Sequence, residues 1–449
     1  MSKCELFADF NTSVGVIKTM HCGNGGPRVG GRTLPLDFTK EFREMGIPCS
    51  RLHDIEYPYG LNQFVDIHCI FPDFDADVDD PDSYNFKPTD DYLNAIINAG
   101  SKVFYRLGES IDHYTKPLYI YPPKSAEKWA KICEHIIMHY NEGWADGFNM
   151  GIEYWEIWNE PDNDRMWLGT PEEFFELYRV TANHLKERFG DKIKVGGYAS
   201  SGFYVLNREK VSEWLKTLVP YMKDFFKYIT AEETKAPMDF FSWHCYADTP
   251  EEVALHAGYA DDILKEYNIT NCENILNEFN MYYCFSEYAP LHKGLFTDIG
   301  ASIILAQKSN LDMLMHYMFS ANSVYNCAFA ATGIRRNEVV HLAGYETFKA
   351  FNKLYCLGTE VETKGDIEGE INILAAKDEN EGAVMIVSRA FEGELELTLR
   401  GNYKSYTLKT ATDTDGGVAN VNVFGESPIV DGKITLNVNK HEILLLSCN

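Results

Sequence analysis

The chain has 449 residues, 45% of them hydrophobic and 24% charged, which allows one large domain of about 300 to 350 residues with a smaller companion. Its 41 basic and 67 acidic side chains give a net charge of −26, so neither nucleic acid nor an anionic membrane surface is expected as a partner. No run approaches about 18 apolar residues, and the start of the chain lacks the apolar stretch of a signal peptide, so a cytoplasmic protein is expected. Its 11 cysteines, without CxxC spacing, then read as reduced and mostly buried.

From about residue 14 to 320, short β-branched or aromatic runs alternate with helical stretches. The strand candidates, in chain order, are residues 14–17, 48–52, 102–106, 154–157, 194–196, 240–243, 274–276 and 313–317. Between the third and fourth, Trp129, Ile132, Cys133, Ile136, Ile137 and Tyr140 recur at helical spacing. Thr170-Pro171-Glu172-Glu173 and Thr249-Pro250-Glu251-Glu252 predict capping boxes with proline in the first helical turn. Repeated strand–helix units predict an α/β fold, a (β/α)8 TIM barrel over residues 12–355. A doubly wound sheet is disfavoured, because no Gly-x-Gly-x-x-Gly turn follows an early strand. The acidic run from Asp73 to Asp80 lacks the glycine and glutamate of a calcium loop and reads as a solvated loop. Over residues 356–449, alternating runs broken by Gly, Asn and Asp predict a C-terminal antiparallel β-sandwich, with residues 1–11 as a candidate extra strand.

In a barrel of this type the active site gathers at the C-terminal strand ends. Those ends carry His21 and Asn24, then Arg51, His53 and Asp54, then Arg106 and Glu109, then Asn159 and Glu160. Tyr198 follows, then His244 and Tyr246, then Glu278, and finally His316 and Tyr317. Such a polar ring suits a sugar pocket, since each hydroxyl needs a paired donor or acceptor. Glu160 and Glu278 end the fourth and seventh strands and would face each other across the closed barrel. Two carboxyls about 5 Å apart serve a retaining glycosidase, one as nucleophile and one as acid and then base. Asn159, His53, Asp54, Arg51, His244, Tyr246, Tyr317 and Asn24 are the expected substrate-binding residues, with Arg51 equally suited to pairing Glu156 or orienting Glu278. The neighbours His21-Cys22 and His244-Cys245 point to opposite faces, so no metal is expected, and no cofactor. Carbohydrate is the expected partner, and assembly into a homo-oligomer is left open.

The segment Tyr154-Trp155-Glu156-Ile157-Trp158-Asn159-Glu160-Pro161-Asp162 resembles the acid/base strand of clan A glycoside hydrolases, and among them family 39, the β-xylosidase and α-L-iduronidase group. Leu276-Asn277-Glu278-Phe279-Asn280 falls where that family carries its nucleophile, and Met20 to Pro27 and Arg51-Leu52-His53-Asp54 agree with its first two strands. The resemblance implies Glu160 as acid/base, Glu278 as nucleophile and exo-acting β-xylosidase-like hydrolysis with retention. One departure is the last strand end, where clan A enzymes commonly carry tryptophan. Here His316-Tyr317-Met318-Phe319 stands, so Tyr317 or Phe319 is expected to replace it. Rival readings are the same chemistry on another sugar (arabinosidase, glucosidase or uronide-active) and a non-catalytic sugar-binding barrel.

Overall fold

The computed structural model describes residues 2–27, 37–53, 64–111, 115–285, 293–321, 329–330, 339–414 and 417–449. After β1 (Ser2–Val16), eight parallel strands close into a barrel: β2 (Thr19–Asn24), β3 (Cys49–Arg51), β4 (Lys102–Leu107), β5 (Tyr154–Ile157), β6 (Lys194–Ser200), β7 (Phe240–Ala247), β8 (Glu273–Met281) and β9 (Met313–His316). Both faces of these strands are covered, which is why they read as near-continuous apolar runs. On β4, Phe104 points into the barrel while Val103, Tyr105 and Leu107 meet the surrounding helices.

The expected first strand, 14–17, is corrected. Val14 and Val16 are exposed and lie at the end of β1, where Val16 pairs with Thr359, whereas Met20 and Cys22 are fully buried. The barrel therefore begins at Thr19.

The stripe from Trp129 to Tyr140 is the buried face of a helix, Ala126–Glu142, capped by Ser125 and closed by Gly143 at φ 76°. Thr170 and Glu173 form a complete capping box on the helix Pro171–Phe189. The second predicted box does not form. Thr249 makes no side-chain cap, and Glu252 turns instead to Arg208, at 3.0 Å, and to the Asp248 amide, at 2.6 Å. The acidic loop is accounted for locally, since Asp73, Asp77 and Asp80 each accept from the backbone amide two residues on.

The rest of the chain builds a curled nine-stranded sheet in which β1 lies between Thr359–Lys364 and Gly393–Arg400. The sheet is antiparallel except where β1 runs parallel to Gly393–Arg400. Period two divides its side chains. Ile373, Ala375, Val384 and Ile386 enter the sheet's own core with Leu6, Ala8 and Phe10 of β1. Leu374, Ala376, Met385 and Val387 face the barrel and join the larger core. Strands Ile371–Lys377 and Gly382–Ser388 are thus buried on both faces, and they brace the helices Leu295–Gln307 and Ala343–Leu357 that close the barrel's last turn. Among the described residues no helix is long and apolar enough to cross a membrane.

Candidate active site

Strand alternation sorts the barrel interior into layers. Cys22, Cys49, Phe104, Phe240, Ile275, Met313 and Met315 form an apolar plug, with Tyr154 packed against it. Two residues further along β2, β3, β4, β5 and β7 come Asn24, Arg51, Arg106, Glu156 and Ser242, all fully or nearly fully buried. Within this polar layer Arg51 pairs with Glu156, while Arg106 pairs with Asp66 from the loop after β3. Glu156 accepts from Arg51 Nε at 2.7 Å, Ser242 Oγ at 2.6 Å and Asn277 Nδ2 at 2.5 Å.

Two backbone irregularities bring the key carboxylates above this layer. Opposite β7, Trp243 pairs with Leu276 but His244 pairs with Glu278, so Asn277 is an extra residue, a bulge that shifts the phase of β8 and turns Glu278 inward. At the end of β5, Trp158 (φ 70°) and Glu160 (φ 43°) adopt the left-handed region, a strained geometry that L residues hold only under constraint. The constraints are the Trp158 amide on Leu107 O, 2.7 Å, and the Glu160 amide on Ala199 O, 3.0 Å.

Glu278 accepts from Tyr246 Oη at 2.6 Å, from Asn24 Nδ2 at 3.0 Å and from Arg51 Nη1 at 3.3 Å. Glu160 Oε1 lies 2.7 Å from His244 Nδ1, and Asn163 Nδ2 donates to its Oε2 at 3.0 Å. A carboxylate oxygen of Glu160, one of Glu278 and a ring nitrogen of His244 all lie within 4.8 Å of one another. That spacing would also suit a metal ion, but the Arg51 guanidinium already supplies positive charge against Glu278. Burial pushes the His244 imidazole down to about 4, against the pull of Glu278, so it is neutral at ordinary pH. Burial, with Glu160 adding to it, pushes Asp162 up to about 7 against its hydrogen bonds from Ser201.

Of the expected site residues, Glu160, Glu278, Arg51, Asn159, His244, Tyr246 and Asn24 are brought together. Arg51 serves both of its expected partners and also donates to Asn159 Oδ1 at 2.5 Å. Tyr317 stands beside Tyr246, ring centroids 6.5 Å apart, while Phe319 packs into the core on Phe348 and Phe42. His53 is buried two residues beyond Arg51. Asp54 lies outside the described residues.

Four members of the polar ring sit elsewhere. Cys22 and Met315 point inward, so His21 and His316 point outward, His21 to Asn352 and His316 among Phe279, Phe319 and Phe348. Tyr198 packs between helices against Phe174 and Phe225. Glu109 binds His68. Trp155, Trp158 and Trp243 are core residues. Asn163 carried no sequence signal, because its role depends on the turn that follows Glu160.

The model for glycosyl hydrolases family 39 matches residues 39–391. The chain belongs to that family. A β-xylosidase of Caldicellulosiruptor saccharolyticus is 30% identical over 174 residues, a match spanning 36% of this chain and 31% of that protein. The fold is shared with a glucosidase from Croceicoccus marinus (TM-score 0.78, 19% identity, covering 100% of this chain and 99% of that one). It is also shared with a family 39 β-xylosidase from Caulobacter crescentus (0.69, 15%, 99% of both chains) and with an α-L-arabinofuranosidase from Thermotoga petrophila (0.67, 12%, 99% and 100%). At these identities the structural likeness concerns the fold.

Proposed function

We propose that the chain is a retaining, exo-acting glycoside hydrolase of β-xylosidase type, with Glu278 as nucleophile and Glu160 as acid/base. The observation that carries this reading is the approach of the two carboxylates to within 4.8 Å. Double displacement needs a separation of about 5 to 5.5 Å, whereas inversion leaves about 6.5 to 9.5 Å for a water. Glu278 attacks the anomeric carbon while Glu160 gives its proton to the leaving oxygen. Glu160, now a carboxylate, takes a proton from the water that displaces Glu278.

The surroundings support these roles. Arg51, Asn24 and Tyr246 donate to Glu278, which holds and aims its carboxylate. A neutral His244 suits Glu160 in both states, donating from Nδ1 to the carboxylate or, as the other tautomer, accepting the proton of the acid. Asn159 Oδ1 is taken by Arg51, a group with donors only, so its Nδ2 is left to donate to the sugar 2-hydroxyl. The β-xylosidase relative favours xylose as the sugar.

A panel of 4-nitrophenyl glycosides tests the proposal, with proton NMR of the first sugar released. The β-xyloside should be turned over fastest and release the β-anomer, and Glu278→Gln should lose at least about 10⁴-fold in kcat. A first product of inverted configuration, or a Glu278→Gln variant with full activity, would sink it.

A further inference from the structure

Of the seven tryptophans in the chain, Trp129, Trp155, Trp158, Trp167 and Trp243 are buried and Trp144 is packed against the core, while Trp214 is 42% exposed. Leaving an indole in water forfeits hydrophobic energy that the fold could have used. The ring is nonetheless held in place, because Nε1 donates to the carbonyl of Asp162 at 2.8 Å. Asp162 lies two residues beyond Glu160, and its carboxylate is fastened to Ser200 and Ser201 at the end of β6. Trp214 itself opens the helix Glu213–Thr230 that follows β6, on the barrel face that carries both carboxylates. The exposed indole is thus tied to the same turn that positions Glu160.

An acid must lie within hydrogen-bond reach of the leaving oxygen, so the departing group extends on the Glu160 side of the pocket. A sugar ring offers a face of C–H groups there, and an aromatic face matches it. A ring already anchored at one edge loses little freedom on stacking.

We infer that Trp214 is the platform for the leaving-group saccharide, which makes oligosaccharides, rather than glycosides with a small aglycone, the substrates this site is built for. The inference rests on the assignment of Glu160 as the acid.

The test compares wild type, Trp214→Ala and Trp214→Phe on two substrates of whichever sugar wild type cleaves fastest as its 4-nitrophenyl glycoside. One is the glycosyl fluoride, whose leaving group is too small to reach the indole; the other is the series of two- to four-unit oligosaccharides. Trp214→Ala should lower kcat/KM on the oligosaccharides about tenfold more than on the fluoride, the order of one aromatic contact, and Trp214→Phe should recover most of that difference. Equal losses on both substrates overturn the platform. So does a phenylalanine variant that behaves as alanine, since the effect would then come from the lost anchor on Asp162. If wild type cleaves no glycoside, the hydrolase reading falls and takes this one with it; cleavage of the oligosaccharides with no dependence on Trp214 overturns the platform alone.

Discussion

His244 Nδ1 lies 2.7 Å from Glu160 Oε1, and the same nitrogen is 3.8 Å from Glu278 Oε2. One imidazole nitrogen thus borders both carboxylates. Burial holds it neutral, so it adds no charge that would draw the proton off Glu160.

Replacing His244 by Phe should lower kcat/KM by roughly 10- to 10²-fold, the loss expected for one buried hydrogen bond to a charged group. Because the imidazole is pushed down to about 4, the wild-type pH–rate profile should contain no limb near pH 6.5 that vanishes in the variant. Such a limb would show that His244 titrates during turnover.

Glu160→Ala should cost about 10²- to 10⁴-fold on glycosides with poor leaving groups and far less on a 2,4-dinitrophenyl glycoside, which departs without a proton. Added azide should restore turnover of the activated substrate and give a glycosyl azide of retained configuration. If both substrates slow equally and azide has no effect, Glu160 is not the acid/base.

Arg51 and Glu156 are both fully buried and 2.7 Å apart. Arg51→Met strands the Glu156 carboxylate, and unfolding in urea should report a loss of about 3 to 5 kcal/mol. A loss below about 1 kcal/mol would mean that Ser242 and Asn277 satisfy Glu156 unaided.

Burial pushes His21, His244 and His256 down to about 4 and His316 to about 3. In the unfolded chain these groups take up protons near pH 6.5. Between about 6.5 and 4 the unfolded state therefore binds more protons than the native one. Their contribution is complete above pH 6.5 and is lost as the pH falls, at up to roughly 1.4 kcal/mol per pH unit for each histidine. Urea midpoints at several pH values across this window should show the decline. His316→Phe removes one such group from an aromatic pocket and should make the slope shallower; an unchanged slope would show that His316 is not protonated more readily in the unfolded chain.

The residue types and their spacing were enough to specify much of the molecule. Alternating runs announced a barrel, Trp158-Asn159-Glu160-Pro161 and Asn277-Glu278 announced the two carboxylates, and alternation after residue 356 announced the second sheet. These are local signals, carried by neighbours in the chain. The phase of each strand was not local. A shift of one residue moves a side chain to the opposite face, so only the closed barrel decided that Asn24 faces Glu278 while His21 and His316 face the helices. The bulge at Asn277 and the left-handed turn at Glu160 likewise depend on hydrogen bonds and pairings with β4, β6 and β7, strands remote in the chain. The carboxylates could be named from the sequence, but bringing them within 4.8 Å of each other required strand pairings that only the closed barrel provides.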